Sequence, residues 1–170
     1  MRASLGPALC ALGVVAMPVV LAGCGSQYAG STVGQQVESW ATTSPDPKFA
    51  AAMSTLQGDL NRIAKTQSAS DAAALRTDCE VLVTDALSAN QNLPTPDTEL
   101  TDVLSKAYTA AAGAGRDCLC AAGSQPCPAG AHGKADLLAT SDAESAAALR
   151  GFIAAEARVD LLLAMSGGRQ

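Results

Sequence analysis

Four segments of the chain place apolar side chains three or four residues apart, the spacing that gathers them on one face of a helix. The first predicted helix covers about residues 47–65, with Asp46 as N-cap and Pro47 at the first position, where its missing N–H is harmless. The second covers about 71–90 and is capped by the break at 68–71. The apolar faces of these two helices consist of Phe49, Met53, Leu56, Leu60 and Ile63, and of Ala72, Leu75, Cys79, Leu82, Ala86 and Ala89.

Two further helices follow the connector 93–97, in which two prolines favour a stiff, extended chain. In the third predicted helix Thr95 is the N-cap, Pro96 is the first residue, and the apolar face extends to Cys118. The fourth fills about 134–165, and the capping-box spacing at 141–144 allows an interruption there. The apolar faces of these two helices consist of Leu100, Leu104, Ala107, Ala111, Ala114 and Cys118, and of Ala148, Phe152, Ala155, Val159 and Leu162.

No segment alternates apolar and polar residues over more than a few positions, so the predicted class is all-α. The expected architecture is an antiparallel four-helix bundle at 47–166 with a tail at 167–170. The apolar run 161–165 is too short to cross a bilayer and is expected to form the last core turns of the fourth helix. Since the chain has 36 Ala and is only 3% aromatic, we expect closely approaching helices around a thin core.

The first 23 residues have the layout of a secretory signal peptide, with Arg2 as a positive start and an uncharged, mostly apolar run over 3–20. Residues 21–24, Leu-Ala-Gly-Cys, resemble the lipobox of bacterial lipoproteins. The resemblance implies that the Cys24 thiol receives a diacylglycerol, that the chain is cut between Gly23 and Cys24, and that the new amine is acylated. An uncleaved transmembrane anchor is the alternative, but four Gly and Pro residues make the run a poor permanent helix.

Residues 24–46 are expected to form a flexible, lipidated tether because they are rich in Gly, Ser, Thr and Pro. One or two helical turns are allowed at 35–41, and Trp40 is expected to cap the bottom of the helical core. Removing residues 1–23 takes away one charge, Arg2, and leaves 10 Lys+Arg against 16 Asp+Glu, a net charge of −6. This balance disfavours nucleic acid and repels anionic headgroups, so the domain is expected to stand off the extracytoplasmic face of the cell membrane.

Four cysteines remain after Cys24, and an even number in an oxidising compartment indicates two disulfides. Cys79 and Cys118 lie on the apolar faces of the second and third predicted helices, so we expect them to pair across that hairpin. Cys120 is turned by about 200° from Cys118, and Cys127 follows in a loop rich in Pro and Gly. The second predicted disulfide is therefore Cys120–Cys127.

The same cysteines support an alternative, a metal-binding or thiol-redox site formed by Cys118, Cys120, Cys127 and His132. These three thiols and the single imidazole lie within 15 residues and are ligands that suit zinc or copper. The spacing matches no common zinc motif and would leave Cys79 without a partner. We therefore prefer the disulfides and expect no metal or other cofactor apart from the covalent lipid.

The sequence contains no signature of a known enzyme class. It has no Gly-rich phosphate loop, no Gly-x-Ser-x-Gly motif and no HExxH motif. Carboxylates do occur at helical spacing and are expected on solvated faces, namely in the pairs Asp78 with Asp85, Glu99 with Asp102, and Glu156 with Asp160. The protein is therefore not expected to be an enzyme.

The mature chain resembles a loose group of small helical lipoproteins from high-GC actinobacteria. The resemblance rests on Trp40, on Asp71, Leu75 and Cys79 in the second helix, and on the Pro-x-Pro-Asp connector that ends at Asp97. It implies no function that can be transferred. We expect a lipid-anchored binding or interaction module of the cell envelope, whose ligand is an envelope protein, a cell-wall component or a small apolar molecule.

Overall fold

The computed structural model describes residues 30–42, 48–125, 127 and 133–167. These residues form five helices and contain no strand: α1 Val33–Thr42, α2 Lys48–Ala69, α3 Ala72–Asn90, α4 Thr98–Ala121 and α5 Lys134–Gly167. The four predicted helices correspond to α2–α5, and the all-α class is confirmed.

Helices that are adjacent in sequence pack against each other, as expected for an antiparallel bundle with short connections. The contact between α4 and α5 is the most extensive, followed by α3 with α4 and α2 with α3. Helices α2 and α5 touch only slightly, and α1 contacts both of them. The structure is therefore a four-helix bundle whose open side is partly covered by an additional N-terminal helix.

The core is formed by the apolar faces that the sequence predicts. Each residue of the four predicted faces is buried except Ala72, which is exposed at the first position of α3. Eight core residues are alanines, and the helices approach each other closely where their side chains are smallest. A Cβ atom placed on Gly151 would lie 2.7 Å from the Cβ of Ala107, so α5 meets α4 almost backbone to backbone. The expected thin core and close helix contacts are therefore present.

Helix α3 begins as predicted, whereas α4 does not. Asp71 caps α3 by accepting hydrogen bonds from the backbone N–H groups of Ala73 and Ala74. In α4 the N-cap is Asp97, which accepts from Leu100 N at 2.8 Å, so the predicted start at Thr95 and Pro96 is wrong by two residues. The Thr95 hydroxyl instead donates to the carbonyl of Asp97 at 2.6 Å and stabilises the turn before the helix.

Helix α5 runs without interruption through 141–144, where the sequence allows a break. Ser141 is 1% exposed, and its hydroxyl donates to the carbonyl of Ala114 on α4 at 2.8 Å. Because this hydroxyl is engaged by the neighbouring helix, it does not cap a new helical segment. The capping-box pattern here therefore marks a contact between α4 and α5.

Helix α1 lies in the segment predicted as a tether, where only one or two helical turns were expected. Its start is a capping box that the sequence analysis missed: Gln35 N donates to Thr32 Oγ1 at 3.3 Å, and Thr32 N donates to Gln35 Oε1 at 2.9 Å. Val37 is completely buried, and the ring of Trp40 lies 5.8 Å from that of Phe49. The described part of the predicted tether is therefore packed against the bundle.

Candidate functional site

The four cysteines that follow Cys24 in the sequence form the two predicted disulfides. Cys79 is joined to Cys118 and Cys120 to Cys127, with Cα–Cα distances of 6.0 and 5.2 Å. Gly23, Cys24 and His132 lie outside the described residues.

The two disulfides differ in their environment. Cys79 and Cys118 have no solvent exposure and join α3 to α4 inside the core. Cys120 is almost buried near the end of α4, whereas Cys127 is exposed. A reductant therefore reaches the Cys120–Cys127 bridge more easily than the Cys79–Cys118 bridge.

The pairing bears directly on the alternative metal site. A disulfide sulfur carries no thiolate, which is the form of cysteine that binds zinc or copper. In the structure Cys118 is bonded to Cys79, and Cys120 and Cys127 are bonded to each other, so none of the three is a free thiol. In the part of the chain that the structure describes, there is no other group of three or more His, Cys, Asp or Glu side chains arranged to hold a metal.

A row of exposed large apolar side chains winds around α5 and turns by about 40° every four residues. We call it the outer ridge; it consists of Leu149, Ile153, Leu161 and Met165, with Ala157 at the intermediate position. The exposed fractions of the four large residues are 36, 63, 50 and 65%, respectively. Residues four apart form the natural ridges that helices use to pack against each other. The structure thus leaves a helix-packing surface of α5 open to solvent.

The outer ridge corrects the interpretation of the run 161–165 as core. Leu162 is buried and Leu163 is partly buried, but Leu161 and Met165 are largely exposed to solvent. The sequence did contain the signal, because Leu149, Ile153, Leu161 and Met165 are spaced by multiples of four and are distinct from the buried face. Because α5 carries two sets of apolar residues, the periodicity predicted one of them as the buried face and did not predict the exposed set.

The described part of the molecule has several surface depressions. The depression between α1 and α5 has a volume of about 190 Å³ and is lined by Thr32, Val33, Gly34, Leu162, Met165 and Ser166. A second depression between α2 and α3 has a volume of about 160 Å³. A third depression, also between α1 and α5, has a volume of about 330 Å³ and is lined by Gln35, Glu38, Leu163, Ser166 and Gly167. Only this third depression reaches the lower limit of the roughly 300–1,000 Å³ that is typical of small-molecule sites.

A buried carboxyl group lies between α2 and α3. Asp59 is 1% exposed and accepts a hydrogen bond from Arg62, while its Oδ2 atom has no hydrogen-bond partner among the described residues. Burial raises the pKa of Asp59, Arg62 partly opposes this, and the neighbouring carboxyl of Asp85 raises the pKa again. The pKa of Asp59 in the folded protein is therefore above its ordinary value.

Asp59 is not among the site residues that the sequence pattern predicts. Asp59 lies three residues after Leu56 and four before Ile63, so its position falls inside the apolar face of α2. Asp78 was expected on a solvated face, but it accepts a hydrogen bond from Thr66 Oγ1 at 2.7 Å and lies 3.5 Å from the Arg62 guanidinium. The carboxylates of α3 thus contribute to the contact with α2.

A cluster of three charged side chains, Arg158, Asp97 and Glu99, connects the start of α4 to the C-terminal part of α5. The guanidinium of Arg158 donates to both carboxylate oxygens of Asp97, at 3.0 and 2.9 Å, and contacts Glu99 at 2.9 Å. The hydrogen bonds from Arg158 hold the pKa of Asp97 below its ordinary value, although partial burial opposes this effect. Asp97 therefore caps α4 and anchors α5 at once.

Comparisons with known proteins find no match, whether with protein-family models, with curated proteins or with solved structures. None of the helices in the described ranges is both long and apolar enough to cross a membrane.

Proposed function

We propose that the protein is a lipid-anchored component of the cell envelope whose helical domain serves as a binding module. The anchor is Cys24, modified by diacylglycerol and an N-acyl chain after removal of residues 1–23. The Leu-Ala-Gly-Cys sequence at 21–24 supports this location, and so do the two disulfides, because such bridges persist mainly outside the cytoplasm.

The outer ridge of α5 is the observation that carries the proposed binding role. Contiguous exposed apolar surface on a folded domain is a common mark of an interaction site. The part of the ridge at Leu149 and Ile153, which are four residues apart and therefore neighbours on one face of α5, fits an envelope protein that presents an apolar groove, since such grooves receive side chains spaced along a single helix face. Full burial of each large ridge residue would contribute about 1.5–3 kcal/mol.

The anchor is tested by the substitution Cys24→Ala, which removes the thiol that would be alkylated. We expect the protein to leave the membrane fraction and mass spectrometry to show no diacylglycerol. The control is Cys10→Ala, because this cysteine is cleaved off with residues 1–23 and its loss leaves attachment unchanged. Retention of the Cys24→Ala protein in the membrane fraction would refute the anchor.

The binding role is tested by chemical cross-linking in intact cells followed by purification of the full-length protein. The variant Ile153→Asp introduces a charge into the outer ridge, and we expect it to lose its cross-linked partner. The control is Thr140→Asp, which adds the same charge at an exposed position of α5 outside the ridge. A partner that is captured equally by both variants would show that the ridge is not the binding surface.

A thiol-redox or metal-binding role for Cys118, Cys120, Cys127 and His132 is the second candidate. The exposure of Cys127 favours it, because this sulfur is open to attack by an external thiol. Mild reduction followed by counting of free thiols and by zinc analysis tests this role. It requires selective opening of Cys120–Cys127 and stoichiometric uptake of metal or reversible reoxidation.

A further inference from the structure

We infer that one end of the domain, formed by the start of α1 and the end of α5, docks against the lipid bilayer that holds the anchor. This inference rests on the proposed lipidation of Cys24. The surface concerned is called the end patch; it consists of Val33 and Met165 at a depression that Gly34 and Leu162 also line, together with Leu161, one helical turn before Met165.

The end patch exists because α1 packs very closely against the last turns of α5. A Cβ atom on Gly34 would collide with the carbonyl oxygen of Leu162 and would lie 2.7 Å from the Cβ of Ser166. Only glycine permits this approach, which brings the side chains of Val33 and Met165 to the rim of the same depression. The two ends of the described chain thus form one surface.

The side chains of the end patch are suited to hydrocarbon. Val33 is 45% exposed, Leu161 50% and Met165 65%. Leu161 and Met165 are four residues apart, so they are neighbours on the surface of α5. None of the six residues that line the depression is charged. Burial of these side chains therefore removes apolar surface from water without desolvating a charge from the lining.

Only a short length of chain separates Cys24 from the end patch, and this indicates that the bilayer is the surface that covers the patch. Six peptide steps separate Cys24 from Gly30, the first described residue, and a fully extended chain of this length spans at most about 20–22 Å. The opposite end of the 34-residue α5 is about 50 Å away along the helix. The lipid therefore holds the end patch, and not the far end of the bundle, close to the membrane.

This conclusion changes the expectation that the domain stands off the membrane. A tether over 24–46 would be long enough to keep the bundle clear of the bilayer, but α1 occupies 33–42 of that segment and is packed on the bundle. The net charge of −6 still disfavours anionic headgroups. We therefore expect apolar insertion that is strongest in zwitterionic lipid and weaker as anionic lipid is added.

The experiment uses the full-length lipidated protein reconstituted into vesicles of phosphatidylcholine with brominated acyl chains, which quench nearby tryptophan. Val33→Trp and Met165→Trp place a fluorophore in the end patch, and the unsubstituted protein provides the background from Trp40. Ile153→Trp is the matched control, since it is an exposed apolar position about 18 Å from Met165 along α5. We expect blue-shifted, quenched emission at 33 and 165 and unquenched emission at 153.

Flotation of the vesicles separates failure of this inference from failure of the anchor. Variants that float with the vesicles but remain unquenched at 33 and 165 would overturn the docking and leave the anchor intact. Quenching at all three positions would place the whole length of α5 on the membrane and would also overturn docking by the end patch. Protein that fails to float and lacks lipid on Cys24 would overturn the anchor and the inference together.

Discussion

Asp59 shows how one buried carboxyl group makes the stability of the bundle depend on pH. Its pKa is raised in the folded protein, so the folded state holds the proton more tightly than the unfolded state does. This group therefore contributes stability at pH values below its unfolded pKa, which is near 4, and the contribution is lost as pH rises through the folded pKa. Asp97 has the opposite sign, because its pKa is lowered on folding.

We predict that Asp59→Asn stabilises the protein increasingly as the pH rises from 4 to 7. Asparagine keeps the shape and the acceptor oxygen for Arg62 but does not ionise, so it avoids the cost of a buried carboxylate whose pKa is raised by burial, and that cost grows with pH. Denaturant unfolding at several pH values, with the disulfides intact, measures the effect. Asp160→Asn, at an exposed position of α5, is the control for the change in net charge. A stability difference independent of pH would contradict the prediction.

At the level of the helices, the sequence pattern predicts the buried face of α4 correctly but not the residue at which α4 begins. The spacing of Leu100, Leu104 and Ala107 correctly predicts a helix and its buried face, because that periodicity depends only on local sequence. The exact N-cap was predicted wrongly because Asp97 is selected by Arg158, which lies 61 residues away. Likewise, Gly34 is typical of a tether by composition, and its role is visible only once α5 lies against it.

The pairing of Arg158 with Asp97 leads to a prediction about the connection between α4 and α5. Arg158→Met keeps much of the apolar stem but removes both hydrogen bonds to the carboxylate. We expect a loss in the free energy of unfolding larger than that caused by replacing an exposed arginine, because the variant leaves the mostly buried Asp97 carboxylate without its guanidinium partner. Because Arg158 holds the pKa of Asp97 down, the variant should also lose less stability than the native protein as pH falls below 4.

Thermal and denaturant unfolding of the Arg158 variant are compared with those of Arg150→Met, an exposed arginine on the same helix. The control should change stability by no more than about 0.5 kcal/mol, as is usual for surface substitutions. Equal effects of the two substitutions would show that Arg158 acts only through its general charge.

At the scale of the whole molecule, the disulfides add stability to a core that is built largely from small residues. Alanines at the contacts let α3, α4 and α5 approach closely, but each buries little apolar surface compared with Leu or Phe. The cross-link between α3 and α4 lies in this thin core, and it was predictable because Cys79 and Cys118 occupy apolar-face positions. The outer ridge was not predictable from periodicity alone, since which apolar face of α5 is covered depends on where α4 and α1 pack.

The two disulfides should contribute unequally to stability. In the chain-entropy description, a bridge stabilises the folded protein by restricting the unfolded chain, and the effect grows with the length of the closed loop. Cys79 and Cys118 are 39 residues apart, whereas Cys120 and Cys127 are 7 apart. This corresponds to about 4 kcal/mol for the first bridge and about 2.4 kcal/mol for the second.

We therefore predict that the paired substitution Cys79→Ala with Cys118→Ala lowers the free energy of unfolding more than Cys120→Ala with Cys127→Ala. The difference should exceed the roughly 1.5 kcal/mol from loop length, because the first pair is completely buried and its loss also leaves a cavity in the core. Urea unfolding of the two double variants and the native protein provides the measurement. If the bridge at the end of α4 proved the more stabilising of the two, the thin core between α3 and α4 would not be the part of the molecule that depends on a cross-link.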